Sequence, residues 1–207
     1  GLAVSVQVDN YVLKPIRASG THTIVGNEIR LSGAPQRVFL EVQMQGWTPA
    51  LLRTYQAKLD AVGGVLGAGY DNGTGVSLAP AVQTCTTNAE CGTAFALAGV
   101  RCNVPVGGGG LKCETGFIDR NRTTPTPFVF PADETDQSGV ATGSLNYTYF
   151  AIRNVTIPPG EVDPGAVRYG GNLVLDVPAG ATGTYTISFD PEPTVTFMAD
   201  PDNNDIP

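Results

Sequence analysis

The sequence predicts an all-β protein with the architecture of a β-sandwich or jelly roll of about seven to nine strands. Of the 207 residues, 26 are Gly and 16 are Pro, and only 15% are charged, well below the roughly 25% of an average globular domain. The apolar fraction of 42% is large enough for a sizeable core. Short segments of alternating apolar and polar residues recur along the chain, with turn residues between them.

The first half of the chain contains four candidate strands. Residues 2–8 are predicted to form an edge strand, and residues 21–31 are rich enough in Thr, Ile and Val to form a second strand. Residues 38–45 alternate most clearly, with one apolar face and one face of Glu and Gln. Residues 50–60 fit a helix or a strand, and we favour the strand because the neighbouring segments are strands. The Gly-rich residues 63–80 are predicted to form a loop.

The second half is predicted to contain five further strands. They lie at residues 128–130, 144–153, 169–177, 184–189 and 194–198. Turn residues, Pro158-Pro159-Gly160 and Asp163-Pro164-Gly165, separate the second of these strands from the third. Because no linker is long enough to divide the chain, residues 1–207 are predicted to form a single domain that carries one insert.

Four cysteines define that insert. Cys85, Cys91, Cys102 and Cys113 follow the spacing C-x5-C-x10-C-x10-C within a polar, Gly-rich segment at about residues 84–116. Without a CxxC pair or a nearby His, the spacing does not favour a zinc site. It predicts two disulfides and therefore an oxidising compartment, extracellular or at the cell surface. The sequence leaves all three pairings open. The run of four glycines, 107–110, has little conformational preference and needs such cross-links to hold a shape.

Charge and histidine content exclude several functional classes. The net charge is −7, and the twelve basic residues are scattered, so nucleic acid is not an expected partner. No apolar run approaches the roughly 18 residues of a membrane helix, so no membrane insertion is expected. The single histidine, His22, lies in an alternating segment and is predicted to be a strand side chain. Most Ser-His and Cys-His chemistry would need that residue, and no two carboxylates are placed together on strands, so we do not expect an enzyme.

An oxygen-rich cluster near the end of the sequence is the candidate cofactor site. Calcium binds about six to eight oxygen ligands on a flexible loop. The residues that supply such oxygens here are Asp200, Asp202, Asn204 and Asp205, with Asn203 between them. The same residue types also form metal-free turns in which the side chain caps the backbone. A second acidic loop, residues 133–136, is a weaker calcium candidate and fits a solvated turn better.

Aromatic side chains on a sheet face are candidates for stacking on a sugar. These residues are Trp47, Tyr147, Tyr149 and Tyr169. Tyr147 and Tyr149 share one face by the two-residue period of a strand. The alternative is that these aromatics are core residues, which is the more common role of an aromatic residue in a strand.

Residues 169–207 resemble the C-terminal part of a cohesin domain. The matching elements are the strand Gly-Gly-Asn-Leu-Val-Leu-Asp-Val, the turn Pro-Ala-Gly-Ala-Thr-Gly, the strand Thr-Tyr-Thr-Ile-Ser-Phe and the closing Asp-Pro-Asp-Asn-Asn-Asp-Ile-Pro. Residues 53–60 resemble an early cohesin strand. The chain as a whole is most similar to cohesin-type domains of secreted bacterial proteins of the planctomycete type. The resemblance implies a jelly-roll sandwich that binds protein without catalysis, as cohesins hold dockerin modules on one sheet face. The chain differs from a plain cohesin in its length and its cysteine insert.

The expected function is therefore extracellular protein binding, as a scaffolding or adhesion module. One alternative is a structural subunit of an extracellular fibre or matrix, in which residues 2–8 add to the sheet of another copy. We favour the pairing of this strand within its own sandwich. The second alternative is a carbohydrate-binding module. The expected partners are other extracellular proteins or copies of the chain, with polysaccharide as the partner in the second alternative.

Overall fold

The structure is a computed structural model, and it describes residues 2–4, 10–46, 52–61, 70–104, 108–130, 140–142, 150–160, 166–194 and 196–206. Its strands are β1 (Leu2–Val4), β2 (Tyr11–Ala18), β3 (His22–Val25), β4 (Glu28–Leu31), β5 (Gln36–Met44), β6 (Leu52–Ala61), β7 (Tyr70–Asp71), β8 (Ser77–Pro80), β9 (Cys102–Asn103), β10 (Lys112–Cys113), β11 (Gly116–Phe117), β12 (Val140–Thr142), β13 (Phe150–Gly160), β14 (Arg168–Val177), β15 (Tyr185–Phe189) and β16 (Phe197–Ala199). The helix α1 (Asn88–Phe95) lies between β8 and β9.

Two main sheets contain most of these strands. The first sheet has the order β12-β13-β6-β15-β1-β4-β3, and β16 also pairs with β6. The second sheet has the order β2-β5-β14-β8-β7, and β11 also pairs with β14. The short strands β9 and β10 form a separate ladder. The all-β prediction is confirmed, but the expected number of seven to nine strands is too low, because several of the 16 described strands are only two to four residues long.

The two sheets share one apolar core. In the second sheet, β5 and β14 pair antiparallel, with Leu40 opposite Leu173, and both side chains are fully buried. From the first sheet, the ring of Phe189 lies 5.5 Å from the ring of Tyr11 on β2. Burial against the facing sheet is the main stabilising contribution of such side chains, at about 1.5–3 kcal/mol for each large one. The molecule is therefore a sandwich whose inner faces pack against each other.

A buried hydrogen bond also joins the sheets. The Tyr55 hydroxyl on β6 donates to the Gly170 carbonyl oxygen on β14 at 2.7 Å. Burial raises the pKa of this hydroxyl well above its usual value, which favours the protonated, donating form. A Cβ on Gly170 would lie 3.5 Å from the Tyr55 ring, so the tyrosine ring packs closely over a residue without a side chain.

Two strand predictions in the first half are wrong in detail. Residues 2–4 do not form an edge strand, because β1 lies between β15, to which it is parallel, and β4. Residues 21–31 are not one strand but the hairpin β3–β4. The chain reverses at Gly26, whose φ of 60° is in the region that glycine adopts without strain.

The predicted turn at Pro158-Pro159-Gly160 is also wrong, because these residues lie within β13. The pairing of β13 with β6 shifts register between Val155 and Gly160. Proline has no backbone N–H to donate, so a strand that contains two of them is expected to lose ladder bonds at that point. The two prolines and the glycine therefore mark an irregularity within β13 and not the end of the strand.

The predicted strands at residues 38–45, 50–60, 169–177 and 184–189 correspond to β5, β6, β14 and β15. The predicted loop at residues 63–80 includes β7 and β8, while residues 62–69 lie outside the described part. One feature of β5 was not expected. Alternation predicts that Glu41 lies on a polar face, yet it is 1% exposed, because both faces of β5 are covered.

We expect Tyr55→Phe to lower the free energy of unfolding by about 1–3 kcal/mol, because it leaves the buried Gly170 carbonyl without this donor. Urea denaturation followed by circular dichroism measures the change. Tyr185→Phe is the matched control, since its hydroxyl donates at 3.0 Å to the Val76 carbonyl in a partly buried position. Equal losses in the two variants would contradict the role of the buried inter-sheet bond.

Candidate functional site

The cysteine insert is a small folded unit that two adjacent disulfides hold together. Cys85 is bonded to Cys102, and Cys91 on α1 is bonded to Cys113 on β10. The sulfur atoms of Cys85, Cys91 and Cys102 all lie within 4.8 Å of one another. Because every cysteine is in a disulfide, none provides a thiolate for a metal ion. The prediction of two disulfides is confirmed, and the structure selects one of the three pairings.

Helix α1 lies within the insert, where no helix is predicted from the sequence. Its N-cap Thr87 accepts a hydrogen bond from the Glu90 backbone N–H, and the Glu90 carboxylate accepts from the Thr86 backbone N–H at 2.8 Å. Hydrogen bonds from Thr86 lower the pKa of Glu90. The helix ends at Phe95, and its C-cap Ala96 has a left-handed φ of 49°. The motif Thr87-x-x-Glu90 is a capping-box signature, and it was the sequence signal that could have identified this helix.

The insert covers the outer face of the second sheet. Phe95 of α1 is fully buried in a second apolar cluster with Phe39 of β5 and Val174 of β14. The chain enters and leaves the insert beside the same residue, since Ala81 N–H donates to the Val174 carbonyl and Val174 N–H donates to the Thr115 carbonyl. Strands β5 and β14 are therefore buried on both faces.

Two arginines attach α1 to this sheet. The Arg17 guanidinium lies 4.4 Å from the centre of the Phe39 ring and donates to the carbonyl oxygens of Phe95, at 3.1 Å, and Ala96. These carbonyls are at the C-terminal end of the helix, where the helix dipole favours a cation. The Arg37 guanidinium lies 4.8 Å from the centre of the Phe95 ring and pairs with Asp176 at 2.9 Å. Each arginine thus combines ring stacking with a polar contact.

A groove of about 680 Å³ lies between α1 and the sheet, beside these arginines. Its wall includes Arg17, Arg37 and Asp176 together with the two phenylalanines beneath them. The charged groups that line it contact one another or the end of the helix. The charged residues of the groove therefore serve to attach the insert to the sheet.

A second buried polar network fixes the segment that follows the insert. The Arg122 guanidinium pairs with the Glu41 carboxylate at 2.6 Å and lies 4.5 Å from the centre of the Tyr169 ring. The Tyr169 hydroxyl donates to the Asn172 side-chain oxygen at 2.5 Å, and burial raises the pKa of that hydroxyl. The Gln43 side-chain amide donates to Glu41 at 2.8 Å. The polar groups of β5 and β14 under the cover are thus matched with partners, as burial requires.

The outer face of the first sheet is different. We define the β6–β15 face as the side chains of Gln56 and Lys58 on β6, Thr186 and Ser188 on β15, and Phe197 on β16. All five are half-buried, and they alternate with core residues such as Ala57 and Ile187. Lys58 also pairs with Asp190 at 2.6 Å. This face is polar and partly open to solvent, with one aromatic ring on it.

The Asp200–Asp205 segment forms a closed local turn. The Asp200 carboxylate accepts from the backbone N–H groups of Asp202, at 2.9 Å, and Asn204, at 2.8 Å. Hydrogen bonds from Asn204 lower the pKa of Asp200. Asn203 has a φ of 64°, which asparagine tolerates better than most residues. The turn in which a side chain caps the backbone is therefore present, and calcium binding stays a prediction.

The other predicted site residues fall into two groups. Trp47, Tyr147 and Tyr149, as well as the acidic residues 133–136, lie outside the described residues. Tyr169 is fully buried beneath Arg122, so its ring is not available for stacking on a sugar.

His22 is in β3, as predicted. Its Nε2 accepts from the Ala18 backbone N–H at 3.3 Å, and its Nδ1 lies 2.8 Å from the Gly20 carbonyl oxygen. With Nε2 as the acceptor, the proton of the neutral ring is on Nδ1 and is donated to Gly20. The ring therefore holds the corner between β2 and β3.

No family model, curated protein or solved structure matches this chain. Within the ranges that the structure describes, no helix is long and apolar enough to cross a membrane. The two disulfides are typical of an oxidising compartment.

We expect the removal of either disulfide, by Cys91→Ala with Cys113→Ala or by Cys85→Ala with Cys102→Ala, to lower the free energy of unfolding by about 3 kcal/mol. The closed loops are of similar length, with sequence separations of 22 and 17, so the two losses should be similar. Urea denaturation measures both. Limited proteolysis should then cut first within the insert, and early cleavage elsewhere would contradict a local role for the disulfides.

The Glu41–Arg122 pair is tested by a double-mutant cycle. Arg122→Leu should lower the free energy of unfolding by about 3–5 kcal/mol, because the Glu41 carboxylate stays buried without its cation. Adding Glu41→Gln removes the isolated charge and should recover part of this loss. Strictly additive losses in urea denaturation would show that the two side chains do not depend on each other.

Proposed function

We propose that the chain is a non-catalytic extracellular module for protein binding, in scaffolding or adhesion, with a cohesin-like jelly-roll sandwich. Its partner is another extracellular protein, and the β6–β15 face holds it. The observation that carries the proposal is the difference between the two sheets. The insert covers the outer face of the second sheet, and the β6–β15 face of the first sheet is polar and half-exposed.

The composition of the β6–β15 face suits a protein partner. Specific interfaces combine a buried aromatic anchor with a polar rim. Phe197 supplies an aromatic ring on this face opposite Gln56, and Ser188 and Thr186 add polar side chains further along the sheet, on β15. The side chains stand on paired strands of a sandwich, so they are positioned before binding, which lowers the entropy cost of association. The cohesin resemblance supports the same location, since cohesins hold dockerin modules on a sheet face.

The contacts of the only histidine support a non-catalytic function. Both ring nitrogens of His22 contact backbone groups at the β2–β3 corner. The buried Glu41 carboxylate is paired with Arg122 and also accepts from Gln43. The His22 ring and the Glu41 carboxylate thus both have structural contacts, and the proposed binding function assigns neither of them a catalytic role.

Two alternatives remain as proposals. The first is a structural subunit of an extracellular fibre or matrix, favoured by the parallel insertion of β1 between two strands of the first sheet. The second is a carbohydrate-binding module built on Trp47, Tyr147 and Tyr149. Calcium at Asp200, Asp202, Asn204 and Asp205 is the proposed cofactor, and the proposed location is extracellular or at the cell surface.

The test is a retention experiment with the immobilised chain and the secreted proteins of its source organism, with calcium and with a chelator. Mass spectrometry identifies the proteins retained by the unsubstituted chain. Ser188→Arg and Thr186→Arg place a long cation on the β6–β15 face and should each weaken retention of the same protein about tenfold, which corresponds to roughly 1.4 kcal/mol.

Leu111→Arg is the matched control. It makes the same kind of change at a position that is 41% exposed on the insert, on the opposite side of the sandwich. Its retention should equal that of the unsubstituted chain. Loss of retention in Leu111→Arg but not in Ser188→Arg would move the binding surface to the insert and overturn the proposal. Retention on polysaccharide that Tyr147→Ala abolishes would instead support the carbohydrate alternative.

A further inference from the structure

Strand β1 occupies a slot between two other strands of the first sheet. On one side it is parallel to β15, with Ala3 opposite Thr186. On the other side it is antiparallel to β4, with Leu2 opposite Ile29. The slot therefore offers backbone donors and acceptors along both edges, and an extended segment within it satisfies both.

The hairpin β3–β4 depends on this strand for its place in the sheet. In the sheet order of the described strands, β1 is the element that lies between β15 and β4. Without it, β15 and β4 would each present an unpaired edge, which is a template for another strand. Ile29 of β4 is fully buried, so the slot borders the core of the sandwich. The first sheet is incomplete unless some strand fills this position.

Among the residues that the structure describes, few backbone pairs retain β1 in the slot. The strand has three residues, and the register pairs all three with β15 but only two with β4. Its pairing with β15 is parallel, which is slightly less stable per residue than antiparallel pairing. Short elements with few contacts open at a lower free energy than the core strands do.

We propose that the slot also accepts residues 2–4 of a second copy of this chain, so that two copies exchange β1. The exchanged strand makes the same backbone pairs with β15 and β4 that the chain's own strand makes. The contact energy is therefore nearly the same in both states, and the chain concentration decides between them. The site lies in the strand order of the first sheet and does not rest on the proposed protein-binding face.

Chain length limits where the second copy can lie. Residues 5–9 connect Val4 to Asn10, and six Cα steps span at most about 20 Å in extended chain. A copy that donates its β1 must therefore bring its own Asn10 within that distance of the acceptor's slot. Reciprocal exchange between two such copies closes a dimer, and one-way exchange continues into an open assembly.

The test traps the exchange between two variants that carry one thiol each. Ala3→Cys is mixed with Thr186→Cys, and a short bis-maleimide links thiols that come close. All four native cysteines are in disulfides, so only the introduced thiols react. We expect a covalent dimer of the two variants, separated by a size tag on one of them. While it is a minor species, its fraction should rise roughly tenfold for a tenfold rise in chain concentration.

A mixture of Ala3→Cys with Leu111→Cys is the control for random collisions, since Leu111 is exposed on the far side of the sandwich. At about 1 mM chain, a concentration near the effective concentration of a short linker, the Ala3→Cys and Thr186→Cys mixture should exceed this control about tenfold. A yield no higher than that of the control overturns the proposal.

The chain with both substitutions separates the remaining outcomes. It should link within one chain at low concentration and between chains at high concentration. Linking within one chain at every concentration overturns the exchange, since β1 then stays in its own sandwich. The absence of any link in this variant overturns it as well, because β1 then does not occupy the slot.

Discussion

The burial of β5 and β14 on both faces is the constraint on which the rest of the structure depends. Their inner residues, such as Leu40 and Leu173, belong to the core between the sheets. Their outer residues, such as Phe39 and Val174, are equally apolar and need a cover of their own. Antiparallel sheets commonly leave one face to solvent, and these two strands do not. The insert supplies that cover. Its disulfides restrict the conformations of a segment whose glycines have little conformational preference.

Covering a sheet brings polar groups out of water as well as apolar ones. Glu41 and Asn172 lie under the segments that cover β5 and β14, and both are almost completely buried. An unpaired carboxylate there would be strongly destabilising, so the Arg122 pair is a condition for the cover and not a separate source of stability. Such contacts also specify position, because an arginine that must reach Glu41 and stack on Tyr169 allows one placement of its segment.

Alternation in the sequence predicts β5, β6, β14 and β15, because each strand has one face toward the core. Every second residue lies on that face, so the apolar residues recur with a period of two. Alternation could not predict the burial of Glu41, since the cover comes from residues distant in sequence. The hairpin β3–β4 and the place of β1 depend likewise on pairing partners elsewhere in the chain. The cysteine spacing predicted two disulfides, while their pairing required the fold of α1 between them. Helix α1 has a local sequence signal, the capping-box motif Thr87-x-x-Glu90, but it lies in a segment whose polar, Gly-rich composition does not predict a helix.

The same constraint bears on function. A sheet face that disulfides, stacked arginines and a buried ion pair hold under its cover is costly to expose, so the second sheet is a poor place for reversible binding. The β6–β15 face needs no such opening, because its side chains are half-exposed on strands that the core already fixes. Strand β1 lies in the same sheet, between β15 and β4. The cover therefore leaves the first sheet as the one on which the proposed partner, and the proposed second copy, would act.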